Sequence, residues 1–161
     1  MKLEFKNIKY YASMSEETDC YEAILYVDGK RLGRVHNDGH GGCDHHDFSW
    51  KEYERVNEWC KENLPKWKWI CEHDNTETEN DTDLEIWCHD QVTNHLLQKE
   101  LKRHLKKLFV METDKQFYSY KVKWSDVTSI ALDSWKEKNP SAIVLNALPF
   151  DEALNLYRQH I

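Results

Sequence analysis

Between residues 34 and 48 the chain reads RVHNDGHGGCDHHDF, gathering three glycines, four histidines, three aspartates and one cysteine. Three chemistries are open to such a set. Neutral imidazoles with carboxylates suit Zn, Mn or Fe. His40, Asp44 and His46 would then hold Zn or Mn in a metal-dependent hydrolase, a phosphodiesterase or nuclease, with Glu17 as base. The spacing matches no zinc finger and no HExxH helix, and consecutive His45 and His46 diverge on an extended chain. The run Asn37-Asp38-Gly39-His40-Gly41-Gly42 offers a different use. Glycines let successive backbone N–H groups turn together towards an anionic group on a small ligand. No Walker or dinucleotide fingerprint is present, and Glu16, Glu17, Asp38 and Asp44 repel phosphate unless a cation or hydroxyl satisfies them. Third, Cys43 beside His40 or His46 has the components of an activated thiolate. Five cysteines and nine histidines make such neighbours expected by chance. Against all three stands a plain turn, glycine-rich for backbone geometry alone.

The elements around this run decide what it can meet. Asp28-Gly29 separates two β-rich segments and is a strong short-range hairpin signal, since both central residues of a type I′ turn need positive φ. A regular two-residue loop pairs Leu25 with Leu32, Ala23 with Arg34 and Tyr21 with His36. Tyr21, Ala23, Leu25, Val27 and Leu32 then share one face, and Ile24, Tyr26 and Val35 the other. The far end of the hairpin brings residues 13–20 beside residues 36–40. A composite binding site follows: Ser15, Glu17 and Thr18 from one segment, with Asn37, Asp38, Gly39, His40, Gly41 and Gly42 from the other.

Residues 2–12 alternate as a preceding strand. Ser49-x-x-Glu52 is a capping box opening a helix with Tyr53, Val56, Cys60 and Leu64 on one stripe, stopped by Pro65. KWKWICEH (66–73) reads as a short strand, and the acidic, apolar-free residues 72–83 as a solvated loop. Thr82-x-x-Glu85 is a second capping box. Over 83–108, Leu84, Cys88, Val92 and Leu96 fall on one stripe, whereas Leu97, Leu101, Leu105 and Leu108 fall on another. One straight helix cannot bury both against one core, so a break near 90–94, or contacts on two sides, is expected. A second hairpin over 108–124 follows, then a helix capped by Ser125 and closed before Pro140, a short strand AIVLN, and a helix opening at Pro149. The order predicts an α+β fold: a single domain over 1–161, with a largely antiparallel sheet against three or four helices. Its N-terminal β-hairpin region spans 1–48, and its helical and second hairpin region spans 49–161.

Composition narrows the classes. A formal charge of −7 disfavours direct nucleic-acid binding, and the basic run KELKRHLKK (99–107) reads as a solvated helix face. An acidic surface favours basic partners instead. No apolar run approaches a membrane span, so no membrane partner is expected. Five cysteines without a regular framework point to reduced thiols and a cytoplasmic setting. Cys71, His73, Cys88 and His89 are chemically able to hold a metal but read as buried thiols and surface histidines. Seven tryptophans are many for so short a chain; they read mostly as core, and one or two exposed ones would mark an interface. A homo-oligomer is compatible with this sequence.

The segment SEETDCYEAILYVDGKRLGRVHNDGHGGCDHH resembles a family of small proteins encoded by tailed bacteriophages and prophages. In these, Ser-Glu-Glu-Thr, a Cys-aromatic pair, Asp-Gly-Lys and Asn-Asp-Gly-His-Gly-Gly recur in this order. The C-terminal VLNALPFDEALNLYR is similar to the end of such proteins. The resemblance brings no activity with it. It implies a bacterial host cytoplasm and an accessory protein that acts by binding, without catalysis or cofactor. Such a protein would inhibit a defence system by holding a small nucleotide-like molecule or a host defence protein. The competing expectations are the hydrolase above and an acidic inhibitor that covers the site of a nucleic-acid-binding enzyme.

Overall fold

The computed structural model describes residues 1–71, 73, 76–112 and 114–160. The fold is α+β, with four helices and antiparallel sheets. The chain forms two compact units, Met1–Thr93 and Asn94–Ile161.

In the first unit a four-stranded sheet runs in chain order: β1 (Leu3–Tyr10), β2 (Tyr21–Val27), β3 (Lys30–Asn37) and the two-residue β4 (His45–His46). The β2–β3 turn forms as expected, with Asp28 at φ 48° and Gly29 at φ 78°. Its register does not stay regular. Val27 pairs with Lys30 and Tyr26 with Arg31, but Leu25 then pairs with Gly33, Ala23 with Val35 and Tyr21 with Asn37. Leu32 is an extra residue, a bulge that shifts everything beyond it by one. The expected pairs Leu25–Leu32, Ala23–Arg34 and Tyr21–His36 are therefore corrected. Burial is the physical reason. The bulge turns Val35, fully buried, onto the same face as Ala23 and Leu25, and it turns Asn37 inward with them.

Helix α1 (Trp50–Asn63) starts at Ser49, whose Oγ accepts from Glu52 N at 3.3 Å. The reciprocal half of the box is absent, because the Glu52 carboxylate turns to Arg55 at 2.6 Å. Val56, Asn57 and Cys60 are buried, and the helix ends before Pro65. Residues 77–83 are not simply a loop. Strand β6 (Glu77–Asn80) pairs with β5 (Trp67–Ile70) in a two-stranded hairpin with an ion pair between Lys68 and Glu77. Its faces are largely solvated, with Trp69 and Ile70 more than half exposed, so no apolar alternation marks β6 in the sequence. Glu72, Asp74 and Asn75 of the expected loop lie outside the described residues.

Helix α2 (Leu84–His104) is unbroken over 21 residues. Of the two expected outcomes, the structure takes contacts on two sides. Leu84, Cys88 and Val92 belong to the first unit, and Leu101 to a buried cluster in the second. The cap is Asp83 rather than Thr82: Asp83 Oδ1 accepts from Ile86 N at 2.9 Å, and Thr82 Oγ1 donates to Pro65 O at 2.6 Å. Glu85 is thereby left for another partner.

The second unit has a three-stranded sheet of order β8 (Phe117–Lys123), β7 (Lys107–Met111), β9 (Ile143–Val144). Strand β7 alternates: Phe109 and Met111 pack with Leu101, Leu154 and Tyr157, while Leu108 and Val110 pack with Trp124, Leu132 and Trp135. Helix α3 (Ser129–Lys138) is capped by Thr128, not Ser125, which lies in a 3-10 turn at Trp124–Asp126. Helix α4 (Phe150–Gln159) buries Ala153, Leu154 and Tyr157. Thr113, in the expected β7–β8 turn, lies outside the described residues.

Candidate functional site

Because the Leu32 bulge points Asn37 inward, its carboxamide becomes the centre of the loop that follows. Asn37 Oδ1 accepts from Thr18 Oγ1 at 2.7 Å and from Gly39 N at 2.9 Å. Its Nδ2 donates to Asp44 Oδ1 at 3.1 Å and Gly42 O at 3.2 Å. All four hydrogen-bonding positions of a carboxamide are thus engaged. The two segments are zipped together on the other side as well. Gly39 O accepts from Glu16 N at 2.9 Å and Glu17 N at 3.0 Å, and Thr18 Oγ1 accepts from Gly41 N at 3.3 Å.

Gly39 permits this approach. Its φ is +85°, and a Cβ there would fall 2.1 Å from Met14 O. Ser15 is used structurally, donating to Tyr11 O at 3.1 Å and accepting from Cys20 N at 2.9 Å. Glu17, Asp38, His40, Gly41 and Gly42 are exposed, and His40 Nδ1 lies 3.2 Å from Glu16 Oε2. The structure therefore brings Ser15, Glu17 and Thr18 together with the 37–42 run. The amides of Gly39 and Gly41 point at Asn37 and Thr18 rather than outward, so they do not form the anion nest that the glycines suggest.

The metal set does not converge. Among the described residues, no group of three His, Cys, Asp or Glu side chains is placed to hold a metal ion. His40 faces Glu16, Asp44 faces Tyr21 and Asn37, and His46 sits edge-on to Phe48 and Tyr53, its ring centroid 4.9 Å from the tyrosine's. Nor does Cys43 behave as an activated thiol. The Glu85 carboxylate beside it pushes its titration up, the opposite of what a nearby imidazolium does. Cys88 is fully buried and His89 exposed, which separates the second candidate metal set.

Residues outside the sequence-derived site complete the region. Tyr21 OH donates a short hydrogen bond to Asp44 Oδ2, and Asp44 N donates to Glu85 Oε1 at 3.1 Å. Burial raises the Asp44 carboxyl, although the Tyr21 and Asn37 hydrogen bonds oppose that rise. The Tyr21 phenol is pushed far up by burial and the neighbouring acids, so it remains a donor. Burial lowers His46, whose Nε2 is buried without a hydrogen-bond partner among the described residues, and His36 stacks on His45 at 5.1 Å. Two clefts flank Asp44 and Glu85. One, of about 320 Å³, is lined by Thr18, Asp19, Tyr21 and His89. The other, of about 420 Å³, is lined by His46, Phe48, Trp50 and Tyr53. Glu85 escaped sequence reading because its spacing from Thr82 suggested a cap. Trp50 was legible only as one of seven tryptophans.

The arrangement offers a loop tied together through the Asn37 carboxamide, a carboxylate-rich rim and an aromatic wall. No protein-family profile, no curated protein and no solved structure matches the chain, so the reading of this site rests on its own geometry.

Proposed function

We propose that this protein is an accessory binding protein of phage or prophage origin. In the cytoplasm of a bacterial host it inhibits a defence protein by covering a basic surface with the 15–18/37–44 loop pair. One observation carries the choice of a protein over a phosphate-bearing ligand. The Gly39 and Gly41 amides are engaged within the loop pair, while the chain segments that contain and follow it are rich in acids. Within the first unit, residues 10–29, 35–50 and 69–93 contain sixteen Asp or Glu and no Lys or Arg. A nucleotide would meet repulsion there and find the Gly39 and Gly41 amides already engaged. A basic protein surface would be steered in and would meet a preformed shape, with little ordering entropy to lose. The family resemblance supports the setting, since its motif residues are the ones the hairpin brings together.

The test is co-purification from a bacterial lysate over a salt series. Binding should weaken as ionic strength rises. The double variant Glu16→Lys/Glu17→Lys, both exposed, should lose roughly tenfold or more in affinity. Retention of the partner by the charge-reversed variant at every salt concentration would remove this reading. Stabilisation of the wild type by nucleotides in a thermal melt would restore the small-ligand one.

A further inference from the structure

The cleft of about 420 Å³ in the first unit has walls that select a particular guest. Trp50 is 69% exposed and stacks on Tyr53, with ring centroids 5.0 Å apart and planes 19° from parallel. One indole face is thus covered and held, and the other is open to solvent. Nothing at the first position of α1 requires an indole, and a large apolar surface held open in this way marks a contact site. Glu85 and Asp44 line the same cleft, with Glu85 fixed by the Asp44 amide at 3.1 Å.

A flat electron-rich ring in a cleft lined by carboxylates is complementary to a planar cation carrying several N–H groups. Guanidinium meets that description better than ammonium: it stacks on indole, donates in a fork to carboxylate and is less strongly hydrated. The starts of α1 and α2 place partial positive charge nearby, but Ser49 and Asp83 cap them, and three full carboxylates (Asp44, Asp83, Glu85) outweigh two half-charges. The rise of the Cys43 thiol beside Glu85 reports the same negative field.

We propose that this cleft receives a single arginine side chain from the surface of a partner protein, its guanidinium lying on the open face of Trp50 and donating to Glu85. The inference rests on the reading that a basic protein surface is the partner, and it names the residue type that anchors it. The test follows the Trp50 indole N–H signal by NMR in the full chain. Titrants are blocked arginine amide, blocked lysine amide and a short arginine-bearing peptide. Arginine amide should shift the signal saturably, lysine amide about tenfold more weakly, and the peptide more tightly than either. Trp50→Ala should abolish arginine binding, Trp50→Phe should keep it within about fivefold, and Glu85→Gln, which can still accept from the Asp44 amide, should cost about tenfold.

Equal binding of lysine and arginine, or unchanged arginine binding by Trp50→Ala with an otherwise native spectrum, overturns the proposal. A peptide no tighter than blocked arginine amide overturns the polypeptide source in favour of a small diffusible guanidinium. No host protein enters this experiment, so its failure is separable from failure of the loop-based function, which the lysate test at Glu16 and Glu17 reads alone.

Discussion

Replacing Asn37 by alanine removes four hydrogen bonds at once, to Thr18, Gly39, Gly42 and Asp44. At roughly 0.5–1.5 kcal/mol net for each, the full loss is about 2–6 kcal/mol. The Thr18 hydroxyl can rotate to water and the exposed Gly42 carbonyl can be solvated, so two of the four are partly recovered. The Gly39 amide is buried, and it cannot recover. The expected destabilisation of the first unit is therefore about 3 kcal/mol. Asn37→Asp separates polarity from packing: it places a second carboxylate where Nδ2 stood, 3.1 Å from Asp44 Oδ1. Coulomb repulsion between two unit charges roughly 4 Å apart is about 4 kcal/mol at an effective dielectric of about 20, so one carboxylate will keep its proton. That shared carboxyl titrates above its unfolded value, so the variant binds more protons folded than unfolded and becomes less stable as pH rises from about 5 to about 7. Two compact units need not unfold in one step, so residue-resolved hydrogen exchange is the suitable assay. Exchange at the Gly39 and Gly41 amides should approach unprotected rates in Asn37→Ala while β7 amides keep their protection. A change below about 0.5 kcal/mol, with Gly39 still protected, would show that the carboxamide does not hold the loop.

Other expectations can be checked beside it. Gly39→Ala combines strain at φ +85° with a Cβ 2.1 Å from Met14 O and should cost clearly more than Gly42→Ala, which carries strain at φ +94° but meets nothing within 4 Å. Denaturant titration of the pair should order them that way, with roughly 1–3 kcal/mol for Gly42→Ala. Burial depresses His46, so the unfolded chain binds the proton more readily; stability of the first unit should fall as pH drops below about 6.5. His46→Phe should flatten that fall, and an unaltered pH profile would assign it elsewhere. Cys43 is the exposed thiol among five free cysteines, yet Glu85 disfavours its thiolate. Glu85→Gln should accelerate its alkylation near pH ~8, and a slower reaction would contradict the electrostatic cause.

What could be seen in the sequence, and what could not, divides along physical lines. Asp28-Gly29 was legible because positive φ at two successive residues is a local requirement that few residue pairs meet. The change of apolar stripe along α2 was legible too. Helical geometry alone forbids the stripe through Leu84, Cys88 and Val92 from continuing onto Leu97, Leu101 and Leu105, and both Cys88 and Leu101 are fully buried. The bulge at Leu32 was not legible, since it is set by Val35 seeking the interior and by Phe48 lying against Gly33, both non-local. Strand β6 was hidden because its stabilisation comes from pairing with β5 and from ions such as Lys66 and Asp81 at 2.9 Å, not from burial. The same limit applied to the site. The juxtaposition of Thr18 and Asn37 followed from the hairpin, but the direction in which the glycine amides point did not, nor did Glu85 reaching back to Asp44 from 41 residues away.

Leu32 sets the phase of everything between the turn and the loop. Its own side chain is half-buried and makes few demands, so many residues should serve there. The number of residues is a different matter. Taking out Leu32 would leave Gly33 opposite Leu25 in an ordinary ladder, whereas losing or adding one residue between Gly33 and Asn37 would exchange inside for outside, presenting His36 to the interior and Asn37 to solvent. Variation should therefore be generous in letters throughout, tolerant of a deletion at Leu32 and strict in length from Gly33 to Asn37.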